Sequence, residues 1–433
     1  MKPYLALLAF SSALIFGIFG CNKPNANPAP QVKGESEEEA AARIAAEKKA
    51  TDDKKVADEK AAKEKEAADQ LAARDRWFEE RFSGKPKDRE ETKPPLAETL
   101  SEFRGTNNQF EMLRPRYRAL SFSPNGQMLA SVTAQGQLTF WDVSITNTFR
   151  LELADLDPWV HSVAIAPDGK SILIGGSEGL KLYHVSGRLL HQFADTGKNI
   201  FAVAFSPDGS LIADGSDKKL RLWEFKSRKL LHTLDGFKGM VNSIDFSPDG
   251  KLVAMSAERE RDIRVWETES GKSKHVLANK DGFGDSDSVR FSPNGKYIAA
   301  AIGFTSKIWE ADSGKEAVVF PTIDLAWRIT AVAFSADSRY LADGSENGIV
   351  RVWDIEAKEA RVVSNAPRND IDVGLNRGHV LRFTNDGKTL ASATWDKTIK
   401  LINLLVVLAE KPGLKIQKQS ESPPKEPGTK SKD

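Results

Sequence analysis

The stretch Phe-Ser-Pro-Asp-Gly at residues 205–209, repeated unchanged at residues 246–250, decides the fold of this chain. Proline presets a turn value of φ and glycine accepts a positive φ, so this pentapeptide is typical of a tight turn between two strands. Related stretches at 122–126, 165–169, 291–295, 334–338 and 383–387 bring the number of copies to seven. Successive copies lie 40 to 49 residues apart. Because a four-stranded sheet unit takes about 40 to 45 residues, each copy predicts one such unit.

A second feature recurs with the turn, at the predicted end of the third strand in each repeat. It is the pair Trp141-Asp142, Tyr183-His184, Trp223-Glu224, Trp266-Glu267, Trp309-Glu310, Trp353-Asp354 or Ile402-Asn403. Together, the two features resemble the WD40 repeat family over roughly residues 105–408. The resemblance implies an all-β, seven-bladed propeller of the WD40 type. In a ring of seven blades each sheet buries both faces and leaves only short edges exposed.

The repeats depart from that family at one position. In WD40 repeats a Gly-His pair lies nine residues before the turn phenylalanine and joins a buried network with a Ser or Thr, an Asp and the Trp. Histidine is missing at this spacing here, although Asp217 and Asp396 occupy the aspartate position. At Gly236-Phe237 the phenylalanine ring occupies the position that the histidine imidazole has in the family pattern. We therefore expect apolar packing to replace the network.

Two segments are candidates for the outer strand of the seventh blade. Residues 105–110 would close the ring from the N-terminal side, and the apolar run 404–408 would close it from the C-terminal side. The spacing of the repeats favours the first segment, and the second stays open. Residues 409–433 are rich in Lys, Pro and Ser and predict a disordered tail.

The first 21 residues predict export and a lipid anchor. Lys2 is followed by an apolar run from Leu5 to Phe19, which has the length of a signal-peptide core and is short for a membrane span. The run ends in Ile-Phe-Gly before Cys21, the only cysteine, and resembles the bacterial lipobox. The resemblance implies that Cys21 is lipidated and holds the protein outside the cytoplasm, on the cell membrane or the outer membrane. An uncleaved membrane helix is the alternative.

Residues 22–100 predict a spacer followed by a charged stalk. Residues 22–34 are rich in Asn, Pro and Ala, and residues 35–82 consist largely of Ala, Glu, Lys and Asp without Gly or Pro. The second composition favours helix and leaves little to bury. Its large apolar residues do not recur at heptad spacing, so we expect a solvated, partly helical stalk. A partner-binding or oligomerising helix with a patch at Trp77, Phe78 and Phe82 is the alternative.

Composition and spacing argue against several classes of function. The net charge of +1 and the pI near 7.7 give no global field that would attract nucleic acid. A single cysteine cannot form an intrachain disulfide or a thiolate metal cage. The six histidines have no metal-ligand spacing, and no nucleophile stands beside a base in sequence. We therefore expect no enzyme activity, no cofactor, no metal and no nucleic-acid partner.

The resemblance also implies a protein-binding face around the mouth of the central channel. Family members contact partners through the residue six positions before the turn aromatic, and the chain has Arg116, Trp159, Asn199, Met240, Asp285, Arg328 and Arg377 there. A second contact position, just before the network aspartate, holds Trp395. His161, Phe201 and His379, four residues before the turn aromatic, are expected to line the inner mouth.

Trp159, Trp395 and two arginines are expected to form one binding patch. Trp and Arg are enriched among the residues that dominate binding energy. Blades 1, 2 and 7 adjoin in a closed ring, which would bring Arg116 and Arg377 beside the two tryptophans. Packing of either tryptophan onto a blade edge is the alternative.

These observations predict a membrane-tethered, extracytoplasmic scaffold with a monomeric propeller that binds protein or peptide partners on its face. Two alternative functions stay open. The first is an enzyme or small-ligand sensor with a site in the channel. The second is a structural component of the cell envelope that acts through its stalk.

Overall fold

The computed structural model describes residues 36–83, 100–104, 117–133, 136–142, 147–149, 159–194, 196–280, 284–320, 327–364, 380–384, 386–393, 398–409 and 414–415. The chain divides into two compact units, Met1–Ala68 and Asp69–Asp433. Cys21 and the predicted signal peptide lie outside the described residues. No helix in these ranges is both long and apolar enough to cross a membrane.

Helix α1 spans Glu37–Ser83 and confirms the predicted charged helix before the propeller. Alanine, glutamate and lysine dominate it, and all three favour helix over other conformations. Its apolar residues Ile44 and Val56 are exposed, so they form no buried stripe. Local helix propensity thus favours this helix, and its exposed residues Ile44 and Val56 contribute no buried apolar face.

The described strands form seven antiparallel sheets, which are the blades of a propeller. In chain order the strands are β1 Leu100–Arg104; β2 Tyr117–Phe122, β3 Met128–Thr133, β4 Leu138–Asp142 and β5 Asn147–Phe149 of blade 1; β6 Val160–Ile165, β7 Ser171–Gly176, β8 Gly179–His184 and β9 Leu189–Gln192 of blade 2; β10 Ala202–Phe205, β11 Leu211–Ser216, β12 Lys219–Glu224 and β13 Leu230–Leu234 of blade 3. They continue with β14 Val241–Phe246, β15 Leu252–Ala257, β16 Ile263–Glu267 and β17 Ser273–Leu277 of blade 4; β18 Ser286–Phe291, β19 Tyr297–Ile302, β20 Thr305–Glu310 and β21 Glu316–Phe320 of blade 5. The last are β22 Ile329–Phe334, β23 Tyr340–Ser345, β24 Val350–Asp354 and β25 Glu359–Ser364 of blade 6, and β26 Val380–Phe383, β27 Thr389–Ala393 and β28 Thr398–Asn403 of blade 7.

The first strand of each blade is its inner strand, and the seven inner strands contact one another in sequence around a ring. Contacts between β26 and β2 close this ring. The inner strands therefore surround a central channel, and the predicted seven-bladed propeller is confirmed.

Strand β1 closes the ring from the N-terminal side. It pairs with β28 in blade 7, from Leu100 opposite Ile402 to Arg104 opposite Thr398. The favoured side was therefore correct, but the strand precedes residues 105–110, because the link to β2 is longer than in the next five repeats. The alternative segment lies in helix α2, Leu404–Ala409, where Leu404 and Val407 are buried.

Part of the predicted disordered tail is ordered. Residues Leu414–Lys415 form β29, which pairs with Glu359 and Ala360 at the outer edge of blade 6. An edge strand presents unpaired backbone N–H and C=O groups, so a short segment can pair with it whatever its side chains are. Composition alone therefore missed this strand.

Side chains of one blade cap the open inner edge of the next. The Ser121 hydroxyl accepts from the Ile165 N–H at 3.0 Å, and the Ser162 hydroxyl accepts from the Val203 N–H at 3.2 Å. The Asp245 carboxylate accepts from the Phe291 N–H at 2.7 Å. These bonds satisfy donors that no neighbouring strand can reach.

Aromatic packing occupies the place of the missing histidine network, as predicted. Phe237 is buried with its edge toward Trp266, at 6.4 Å between ring centroids. Phe193 packs against Trp223 in the same manner at 5.2 Å. Such pairs contribute about 0.5–1.5 kcal/mol beyond the area they bury.

Blades 3 and 6 also contain a polar network that differs from the expected one. Asp214 lies opposite Arg221 in the β11–β12 ladder, accepts from the Trp223 indole at 2.6 Å and forms an ion pair with Arg221 at 2.5 Å. Asp343 binds Arg351 and Trp353 in the same way in blade 6. Burial raises the pKa of Asp214, and the bonds from Arg221 and Trp223 oppose this rise. The aspartate that serves the tryptophan is thus on the second strand, three residues before exposed Asp217.

Replacing Asp214 by Ala should lower the free energy of unfolding by about 3–5 kcal/mol, because Arg221 is left buried without its carboxylate. Urea unfolding followed by far-UV circular dichroism measures the change. Asp312→Ala is the matched control, since the Asp312 carboxylate is fully exposed and pairs only with Lys274 at 3.6 Å. The control should unfold like the native protein, and equal losses in the two variants would contradict the assignment.

Candidate functional site

The antiparallel blades give the propeller two different ends. The Pro-Asp-Gly turns, and the turns between third and fourth strands, lie at one end, which we call the turn end. The links into the inner strands, and the turns between second and third strands, lie at the other, which we call the mouth end. Each predicted binding residue can therefore be assigned to one end from its place in the repeat.

The polar groups of the Pro-Asp-Gly turns largely satisfy one another. In blade 3 the Ser206 hydroxyl donates to Asp208 at 2.6 Å and accepts from the Leu211 N–H at 2.8 Å. Gly209 has a φ of 71°, as the turn requires. The bond from Ser206 is the main cause of a lowered pKa at Asp208. Equivalent bonds occur in blades 1, 4, 5, 6 and 7.

A β-bulge interrupts the inner strand near the mouth end in five blades. The register shift falls on the residue four positions before the turn aromatic, which is Arg118, His161, Asn242, Asp287 or Thr330. A bulged residue is left out of the ladder and its side chain is re-aimed. The bulges therefore change the direction of one side chain in each of these five blades, and two of these side chains, Asp287 and Thr330, are buried.

These mouth residues contact their neighbours across blade boundaries. The His161 and Phe201 rings lie 4.8 Å apart between centroids, so two residues predicted to line the inner mouth are indeed together. The Asn242 amide donates to the Ser286 carbonyl at 3.0 Å. Contacts at the mouth end thus join blade 2 to blade 3 and blade 4 to blade 5.

Trp159 is the large apolar side chain exposed at the mouth end within the described part of the propeller. It stands in the link into β6 and is 59% exposed. Its carbonyl accepts from the Ser177 N–H at 3.1 Å, which holds its backbone to the turn between β7 and β8. The other exposed apolar residues of the described propeller lie on outer strands or on α2. A fixed backbone and an exposed indole are what a binding residue at this position requires.

Two other predicted binding residues are engaged within the propeller. Arg328 forms an ion pair with Asp287 at 2.7 Å and lies 4.0 Å from Asp285. Met240 is half-buried and forms a backbone bridge with Asp217. Both lie at the mouth end, but the charge of Arg328 is already balanced there.

The remaining predicted binding residues, Arg116, Arg377, Trp395 and His379, lie outside the described residues. The patch that would join them to Trp159 stays a prediction. Among the described residues, no three His, Cys, Asp or Glu side chains converge as a metal-ligand set.

The C-terminal part of α1 contacts the turn end of blade 2. Asp75 forms an ion pair with Arg188 at 3.0 Å and accepts a hydrogen bond from the Ser186 hydroxyl. One helical turn later, Glu79 forms an ion pair with Lys170 at 2.9 Å and lies 3.3 Å from His184. The helix therefore meets blade 2 at the end opposite Trp159.

These contacts favour the charged carboxylates. The hydrogen bond from Lys170 is the main cause of a lowered pKa at Glu79, and burial opposes it. At Asp75 burial would raise the pKa, but hydrogen bonds from Ser186 and Arg188 outweigh it, so the pKa is lowered. Sequence reasoning missed the contact; its one signal is an acidic pair four residues apart, which lies on one face of a helix.

Charged side chains also stand at one equivalent position on the inner strands of three blades, nearer the turn end. They are Asp245 of β14, Arg290 of β18 and Arg382 of β26, each directly before the turn aromatic. The Arg290 guanidinium donates to the Ser243 hydroxyl at 2.7 Å, and that of Arg382 donates to the Leu381 carbonyl at 2.9 Å. The sequence distinguishes these three residues because they are charged, whereas the other four repeats have Ser or Ala at this position.

Comparison with known families finds similarity to WD40 repeats in five parts of the chain. The family described as WD domain, G-beta repeat matches residues 116–142, 187–224, 228–267, 324–354 and 375–403. These stretches include the first three strands of blades 1, 3, 4, 6 and 7, which supports the resemblance drawn from the turns and tryptophans. No curated protein matches the sequence.

The contact of α1 with blade 2 should weaken in acid. The pKa values of Asp75 and Glu79 are lowered from their ordinary values of 3.8 and 4.5. The contact of the helix with blade 2 is therefore fully stabilised at a pH above these ordinary values, and the stabilisation is lost as the pH falls through the lowered pKa values. Hydrogen-exchange protection factors of residues 70–83 between pH 7 and pH 3 measure it.

The double variant Asp75→Asn/Glu79→Gln should show low protection in this segment already at pH 7, and Asp58→Asn/Glu59→Gln should behave like the native chain. Protection that is independent of pH, or equal in the two variants, would contradict the role of the two carboxylates.

Proposed function

We propose that this protein is a membrane-tethered, extracytoplasmic scaffold that binds protein or peptide partners at the mouth end of its propeller. WD40 propellers are commonly protein-interaction scaffolds, and the observation that carries the proposal is the exposure of Trp159 at that end. A large exposed indole on a well-held backbone offers apolar contact area at little cost in conformational entropy.

The surroundings of Trp159 suit a binding surface. The bulged side chains of Arg118, His161 and Asn242 are all partly exposed at the same end of the propeller, so this end offers polar groups as well as the apolar indole. Interfaces commonly combine an apolar anchor with a polar rim of this kind. The ion pair of Arg328 with Asp287 fixes part of the rim before a partner arrives.

The position of α1 agrees with a scaffold that is held from one end. Asp75 and Glu79 contact the turn end of blade 2, which leaves the mouth end free of contacts with the helix in the described residues. In the proposal, lipidation at Cys21 anchors the chain to the membrane, and the mouth end carries the binding surface. The lipobox resemblance supports the anchor, since several acyl chains hold a protein to a bilayer almost permanently.

Replacing Trp159 by Ala should weaken partner binding by about 30-fold or more, the effect of losing a residue that contributes about 2 kcal/mol. Partners are first captured by in-cell crosslinking of the native chain, and the affinity of each purified partner is then measured for native and variant protein. A second variant, Trp395→Ala, tests whether the predicted patch extends to blade 7.

Leu189→Ala is the matched control, because Leu189 is also an exposed apolar residue, 48% accessible, but lies near the turn end. It should bind partners as the native chain does, and all variants should melt at the native temperature. Unchanged affinity in Trp159→Ala would move the binding surface away from the mouth end.

Replacing Cys21 by Ser should release the protein from the membrane fraction, because lipidation requires the thiol. Fractionation of cells and mass spectrometry of the N-terminal peptide check this, with Asn25→Ser as a control that should stay membrane-bound. If Cys21→Ser stays in the membrane fraction with its first 20 residues attached, the uncleaved-helix alternative replaces the lipid anchor.

A further inference from the structure

The residue directly before the five-residue turn occupies the same place on all seven inner strands. These residues are Ser121, Ala164, Ala204, Asp245, Arg290, Ala333 and Arg382. In four blades the side chain is small and uncharged, and in three it is ionisable. The charges are therefore gathered on blades 4, 5 and 7 at one level of the channel.

The guanidinium groups of Arg290 and Arg382 reach the channel interior. Both side chains lie deep among protein atoms, yet both keep part of their surface accessible. Accessible surface deep inside a ring of inner strands belongs to the channel. Arg290, Arg382 and Asp245 hold the same register position on their inner strands, each opposite an alanine of the second strand. The three side chains consequently face a common space.

Positive charge exceeds negative charge in this space. Burial, followed by repulsion from Arg290, lowers the pKa of Arg382 to about 9, although Asp245 acts in the opposite sense. Asp245 is the one described carboxylate that acts on either guanidinium, and it already accepts from the Phe291 N–H. Burial also raises the pKa of Asp245. Buried charge without a full set of partners is unfavourable, so the cluster lacks a negative group.

We propose that the central channel binds an oxyanion of the phosphate class between Arg290 and Arg382. A guanidinium presents N–H donors in a planar fork that matches two oxygens of such an anion. A doubly charged anion would balance both arginines at once, which a single carboxylate would not do. The small side chains of Ala164, Ala204 and Ala333 complete this level of the channel.

This site is separate from the mouth-end surface of the proposed function. Arg290 and Arg382 lie toward the turn end of the inner strands, and Trp159 stands in a link at the mouth end. The anion would join blades 5 and 7 across the ring. Its binding should therefore stabilise the propeller, and can be measured whether or not a protein partner is known.

Thermal unfolding of the full-length protein in detergent provides the test. Inorganic phosphate should raise the melting temperature in a saturable way, as expected for a ligand that binds the folded state only. Sodium chloride and sodium acetate at the same ionic strength should not do so. Glycerol phosphate in a further arm distinguishes a site that accepts a phosphate monoester from one that encloses only the free anion.

The variant Arg382→Met should lose the response to phosphate, and without phosphate it should melt no lower than the native protein, because a repulsion has been removed. Arg339→Met is the matched control, since Arg339 is an exposed arginine paired with Asp354 near the turn end. This control should respond to phosphate as the native protein does.

Arg382→Lys keeps the charge without the planar fork and should bind phosphate at least about tenfold more weakly by calorimetry. It also provides the test if Arg382→Met does not fold. The proposal is overturned if phosphate gives no saturable response, if acetate acts as strongly as phosphate, or if both Arg382 variants respond like the native protein.

Discussion

Closure of the ring is the constraint on which the rest of the propeller depends. A four-stranded blade has two apolar faces and an inner strand with one open edge, and neither is satisfied until another blade stands beside it. The open edge is satisfied by side chains of the neighbouring blade, because Ser121, Ser162 and Asp245 accept hydrogen bonds from backbone N–H groups of the next inner strand. The apolar faces are covered once β1 pairs with β28, because this pair completes blade 7 between blades 6 and 1.

The surfaces with functional potential lie at two kinds of place. One is where a β-bulge interrupts an inner strand, and the other is where a residue that caps a strand edge also faces the channel. At the mouth end, bulges remove His161 and Asn242 from the ladder and re-aim their side chains, and the indole of Trp159 is exposed at the same end. Nearer the turn end, Asp245 both caps a strand edge and carries charge into the channel. A propeller can thus present two chemically different sites on one set of inner strands, one apolar with a polar rim and one cationic.

Features that depend on local sequence were predictable, and those that depend on ring geometry were not. The turn at 205–209 and its copies, together with Trp223 and its equivalents, predicted seven blades, and Phe237 predicted apolar packing in place of the histidine network, which the structure shows as a contact with Trp266. The exposed position of Trp159 followed from its distance to the turn, whereas the Asp214 network required the register that places it opposite Arg221. Arg290 with Arg382, and Asp75 with Arg188, meet only after distant segments fold together. Arg116, Arg377 and Trp395 stay predictions.

The pairing of β1 with β28 also determines when the propeller can be completed during folding. Leu100 and Ile402 are about 300 residues apart in the chain. Strand β1, the first strand of the propeller to be synthesised, therefore cannot pair until β28 has been synthesised. Bringing such distant segments together carries a large loop-closure entropy, and folds dominated by distant contacts form slowly. During synthesis an incomplete chain leaves the edge of its last blade unpaired. Completion of blade 7 therefore depends on β1, and the ring of blades cannot close before β28 has been made.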